Sequence, residues 1–137
     1  MWAGQLLTVA LLAAPNAFAT LARPEAGAYV TRLFHWDARI SMLVCVLLLL
    51  LEQRLQREAT PGRLRFSAGL LLPALALFAV VGGHEVLQAL MKDARGTPHF
   101  GLLHGLSMAA FAAKTLCALA LAWVTTFSRS SASAWRA

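Results

Sequence analysis

The chain is predicted to be an all-α integral membrane protein, a four-helix bundle with an amphipathic interfacial segment before the second span. Three observations predict it. Hydrophobic residues make up 59% of the 137 positions and charged residues only 13%, about half the charged share of a soluble domain. The apolar residues fall in four blocks, 4–22, 40–51, 66–90 and 100–127, rather than in stripes. A hydrocarbon layer about 30 Å thick needs roughly 20 helical residues at about 1.5 Å each, and three blocks reach that length. The two-residue alternation of an outer-membrane barrel strand is absent.

The elements follow in order. The expected spans are residues 2–22, 36–56, 66–91 and 99–127, forming one domain over 1–127, with a polar, Ser-containing tail over 128–137. Pro15 and Asn16 interrupt the first span near its end, and a proline there kinks a membrane helix. Ala17-Phe18-Ala19 resembles a signal-peptide cleavage site, but no Lys or Arg precedes the apolar run, so this block is read as a retained span. Arg23-Pro24-Glu25 reads as a helix start. Tyr29, Leu33, Trp36 and Ile40 then recur at helical spacing, with Arg32, His35 and Arg39 off that stripe. The expectation is an interfacial segment that turns into span two. Thr60-Pro61-Gly62 breaks the chain among Arg54, Arg57, Arg63 and Arg65, and Gly96-Thr97-Pro98 breaks it again. Pro73 lies inside span three.

The formal net charge is +6 and the pI is about 10.7. The arginines are scattered over short connectors, as topology signals and headgroup contacts are, which argues against nucleic acid as a partner. One side of the expected topology holds six Lys or Arg and the other five. The denser Arg54–Arg65 connector points to both termini in the cytoplasm, and the expected location is a bacterial inner membrane. Cys45 and Cys117 have no metal-type spacing and read as buried thiols.

Polar groups inside a bilayer are costly, so each invites inspection. Asn16, His84, Glu85 and His104 all fall toward the side of connectors one and three, with His35, Asp37, Arg39 and His99 at its edge. Four spans therefore gather the histidines into one leaflet. His104, Ser107, Phe111 and Thr115 share one face of span four, with Lys114 beside it near mid-membrane. The candidate cluster is His84, Glu85, His104, Ser107, Asn16 and Lys114. Imidazole with carboxylate suits a transition metal or a proton relay, with His84, Glu85 and His104 as ligands. The bland account is hydrogen bonding between helices, or snorkelling. No His-x-x-His or His-Glu-x-x-His is present. Glu85 and Asn16 are the expected partners of Lys114, and His84 with His104 the only pair placed to face each other across a haem. Gly82-Gly83 suits a close helix approach, and Trp2, Trp36 and Trp123 suit interfacial belts. No hydrolase, kinase, dinucleotide or P-loop motif occurs.

Several short runs carry a resemblance: Trp2-Ala3-Gly4, Leu7-Thr8, Ala14-Pro15-x-x-Phe18, Glu25-Ala26-Gly27, Leu33-Phe34, and Leu103-His104-Gly105-Leu106-Ser107. Together they resemble the transmembrane-protein-205-like family of small four-span proteins, a domain of unknown function, over roughly Trp2 to Trp123. His84-Glu85 is not part of that pattern. The resemblance implies the four-span fold and a membrane location, and no activity or cofactor. It also marks Pro15, Phe18, His104, Gly105 and Ser107 as family positions. Physically, Pro15 would kink span one, Gly105 would allow close approach, and His104 with Ser107 would bond across to the kink.

The leading expectation is a small non-enzymatic membrane protein without a cofactor, freestanding or an accessory subunit. Its partners would be the lipid bilayer, itself or other membrane subunits. The first alternative is a small transporter or a metal- or proton-handling protein that uses the His/Glu cluster. The second is a haem-linked membrane oxidoreductase.

Overall fold

The structure, a computed structural model, describes residues 1–59, 67–94 and 98–134. Four helices account for almost all of them: α1 (Trp2–Thr20), α2 (Arg23–Ala59), α3 (Ala68–Asp93) and α4 (His99–Ala134). Each is long and apolar enough to cross a membrane, and among the described residues there is no strand. The expected breakers Thr60-Pro61-Gly62 and Gly96-Thr97, with Arg63, Arg65 and Arg95, lie outside the described residues.

Local chemistry sets the helix ends. Leu21 is extended at φ −110°, ψ 155°, and Pro24 sits in the first turn of α2, where its missing N–H costs no bond. The resulting short link folds α1 back against α2. At the start of α3, the Ser67 hydroxyl accepts from the Leu70 N–H at 3.2 Å, an N-cap. Ser67 also donates to Glu52 Oε1 of α2 at 2.6 Å, so the cap is tied to the neighbouring helix.

The amphipathic segment and span two form one helix of 37 residues, about 55 Å long at the helical rise. The expected turn between them does not occur. Nothing between Pro24 and Ala59 breaks a helix except the single Gly27, whose cost is roughly 1 kcal/mol.

Two helices widen into π turns. In α1, Val9–Ala13 is π-helical, with the Ala14 N–H bonded to Val9 O. Pro15 follows at once and has no N–H to continue the α ladder. In α3, Val81–Val86 is π-helical and carries Gly82, Gly83, His84 and Glu85. A Cβ on Gly83 would lie 2.5 Å from Ala110 Cβ of α4, whereas Gly82 has nothing within 4 Å. Gly83 is thus the close approach of α3 and α4. The approach expected at Gly105 is not there, because that residue is exposed with nothing within 4 Å of its Cβ position.

Helix α3 packs along both α2 and α4, and α1 lies against α2 and α4. The buried positions are mostly small: Ala17, Ala26, Ala38, Ser41, Cys45, Ala76 and Ala118. Leu11, Leu43, Leu47, Leu71, Phe78 and Leu116 point outward. Small residues inside and large apolar ones outside is the pattern of helices that face lipid, where close backbone approach drives packing.

Candidate functional site

The inward face of α2 carries Phe34, Asp37, Ala38, Ser41 and Cys45 at spacings of three and four, opposite the outward Trp36, Ile40, Leu43 and Leu47. Asp37 is 2% exposed and Ser41 is fully buried. Lys114 arrives from α4, 4% exposed, and its Nζ donates to Asp37 Oδ2 at 2.5 Å. The same ammonium reaches Ser41 Oγ at 3.4 Å and stands 4.5 Å from the centre of the Phe111 ring. Because α1 runs antiparallel to α2, its first turns meet the same level. Gln5 Nε2 donates to Asp37 Oδ1 at 3.4 Å, and Trp2 Nε1 donates to Ser41 Oγ at 3.3 Å. Three helices are joined here through one carboxylate, one ammonium and one hydroxyl. A buried ion pair survives its desolvation cost only when its remaining lone pairs and protons are also met, and among the described residues no buried side-chain polar atom lacks a partner.

Beside this core, His35 Nδ1 of α2 and His84 Nε2 of α3 lie 3.0 Å apart, with ring centroids at 5.2 Å and planes tilted by 42°. One ring carries the proton and the other accepts it, and the tautomer decides which. The π turn in α3 brings His84 to this position, next to the close approach where Ser107 Oγ donates to Gly83 O at 3.2 Å.

A cavity of about 360 Å³ runs between α2, α3 and α4. Its outer end lies at Phe18, Lys92 and Phe100, all exposed. Its inner end is the Asp37–Lys114 pair. The step from Phe100 to Lys114 along α4 is about 21 Å of helical rise. Phe34, Phe111, Met91 and Met108 supply apolar wall, and Phe34 meets Phe111 edge-on at 5.2 Å between centroids.

The sequence-predicted residues divide. His84, His104, Ser107, Lys114 and Phe18 all line this cavity. Glu85 is exposed and outside its lining, and Asn16 is exposed on α1, beside Pro15, along a separate hollow at the π turn. The partner of Lys114 is Asp37, not Glu85 or Asn16. The histidine that faces His84 is His35, and His104 instead stacks on Phe100 one turn away, 6.2 Å between centroids. Ser107 bonds to α3 rather than to the kink at Pro15. Trp2, expected in an interfacial belt, turns inward to Ser41. Among the described residues no three His, Cys, Asp or Glu side chains are grouped to hold a metal.

Sequence reasoning missed Asp37, Gln5 and His35 as site residues. Asp37 and His35 precede the Ile40–Leu51 block, so the apolar pattern alone places them at its entrance. The available signal was the face: Asp37, Ser41 and Cys45 fall at i, i+4 and i+8, opposite the apolar stripe.

Comparison with curated proteins finds no match, nor does comparison with solved structures. Residues 1–99 match the family described as Domain of unknown function (DUF4149). That stretch covers α1 to α3 and reaches the start of α4, so it includes Asp37 and His84 and stops short of Lys114. With well over half its length matched, the chain belongs to the DUF4149 family of domains of unknown function.

Proposed function

We propose that the protein is a non-enzymatic multi-pass membrane protein that takes a small amphipathic molecule into its helix bundle from one side of the bilayer. The observation that carries this reading is the cavity that runs from exposed Lys92 and Phe100 to the buried Asp37–Lys114 pair. Ligand sites are largely apolar concavities of roughly 300–1,000 Å³ in which a few polar groups converge, and this one fits at the small end. The transmembrane-protein-205-like motifs support kinship with that family. The dense Arg54–Arg65 connector supports cytoplasmic termini, and in that orientation the cavity opens on the opposite, extracytoplasmic side.

Native mass spectrometry of protein released gently from its own membranes tests the reading. A one-to-one adduct is expected on the wild type and its loss in Gly27→Trp, which fills the outer cavity at a position where an added Cβ meets nothing within 4 Å. A wild type with no adduct, or an adduct that Gly27→Trp leaves unchanged, overturns it.

The second reading is an accessory subunit. Tyr29, Arg32, Trp36 and Arg39 form an exposed basic and aromatic stripe on α2, with Arg39 5.7 Å from the Trp36 ring. Another polypeptide in the same spectra favours that role.

A further inference from the structure

The chemical class of the ligand is written in the charge of the cavity wall. Resting on the binding reading above, we propose that the cavity holds a single-chain amphiphile with an anionic head, a carboxylate or a phosphate. Its head sits at Lys92, and its chain runs inward along Phe34 and Phe111.

The wall carries two lysines, Lys92 and Lys114, and one carboxylate, Asp37, together with His84 and His104. Asp37 is already engaged by Lys114, the one ion pair among the described residues. The cation left without a carboxylate partner is Lys92, at the exposed end. Asp93 follows it in sequence, but successive helical residues point about 100° apart, and Asp93 is not part of the wall. A cationic head would meet Lys92 with no acid to offset it, whereas an anionic head gains a charge-assisted contact. Gln88, one turn inward from Lys92 on α3, and His104 from the facing helix supply further donors at that end.

The inner end suits a chain terminus rather than a head. Lys114, Asp37, Ser41, Gln5 and Trp2 satisfy one another, so no ligand oxygen or nitrogen is required there. Between the two ends, about 21 Å of helical rise apart, Val30, Phe34, Val80, Met108 and Phe111 line the wall, and its polar side chains Thr31, His84 and Ser107 are already bonded to Gly27 O, His35 and Gly83 O. A cavity of about 360 Å³ is at the small end for a drug-sized ligand, which favours one chain over two.

The test uses the full chain in phosphatidylcholine nanodiscs. Four probes share one saturated chain with a terminal diazirine and differ in the head: a carboxylic acid, a lysophosphatidic acid, an alcohol and a primary amine. Cross-linked positions are read by peptide mass spectrometry. The two anionic probes should label the segments containing Phe34 and Phe111, and the stronger of them identifies the source of the head. The alcohol and the amine should label less, as should both acids in Lys92→Gln, by about threefold for one exposed charge contact, with Lys92→Arg restoring the signal. Lys92 is exposed, so the variant folds. Equal labelling by alcohol and acids, with no effect of Lys92→Gln, overturns the anionic head and leaves the binding reading standing. No cross-link inside the cavity with any probe overturns both.

Discussion

Lys114 of α4 and Asp37 of α2 meet at 2.5 Å, with neither side chain more than 4% exposed. The pair lies 77 residues apart in sequence and joins the chain's two longest helices at the inner end of the cavity. Each charge is acceptable there only because the other is present. Removing one partner therefore strands the other. Lys114→Met or Asp37→Leu should each lower unfolding stability in detergent by about 3–5 kcal/mol. The double variant Lys114→Met, Asp37→Leu should recover most of that loss, since an apolar pair carries no desolvation cost. Additive losses in the double variant contradict the pairing.

The approach of α3 to α4 makes a sharper steric prediction. With a Cβ on Gly83 falling 2.5 Å from Ala110 Cβ, Gly83→Ala should destabilise by about 1–3 kcal/mol through overpacking. Ala110→Gly in the same chain should relieve it. Thermal melts of the two single variants and the pair read this directly, whereas a neutral Gly83→Ala places the contact elsewhere.

The junction between α2 and α3 depends on one hydroxyl. Ser67 caps the Leu70 N–H and donates to Glu52, and Gln56 Nε2 reaches both at 2.9 and 3.0 Å. Ser67→Ala removes the cap, worth about 1 kcal/mol, and a donor to the Glu52 carboxylate. Ser67→Asn, which keeps the cap, should lose less. Chemical denaturation midpoints distinguish the two, and equal losses contradict the capping role.

The histidine pair should show energetic coupling. A double-mutant cycle with His35→Phe and His84→Phe isolates the bridge at 3.0 Å. Side-chain hydrogen bonds between membrane helices average about 0.6 kcal/mol in such cycles, and a coupling of that size is expected. Independent effects would mean that the rings meet without bonding.

The fold was legible because the bilayer imposes a crude and strong rule. Residues 68–90 and 100–127 have to be helices once they are apolar and long, whatever they pack against. Helix starts were legible for local reasons, as at Arg23-Pro24-Glu25. The site was half legible. Lys114 announced itself as a charge inside an apolar block, and His84, His104 and Ser107 fell on the cavity through their depth alone. Their partners did not, because depth along a helix fixes a level and not a neighbour. Asp37 lies 14 residues into α2, a level that matches Lys114 only when α2 is continuous from Arg23. The expected turn hid that match. The π turn in α3 moves His84 around its axis, so an ideal α register could not predict that it faces His35.

On the binding reading, an amphiphile occupies the cavity that ends at the Asp37–Lys114 pair. Crystals grown in a lipidic phase with a long-chain carboxylic acid brominated at its chain end test it most directly, because bromine is located by anomalous scattering. A bromine peak is expected beside Phe34 and Phe111, with the head near Lys92. Peaks confined to the outer surface of the bundle, with Phe34 and Phe111 closed over a filled core, would contradict it.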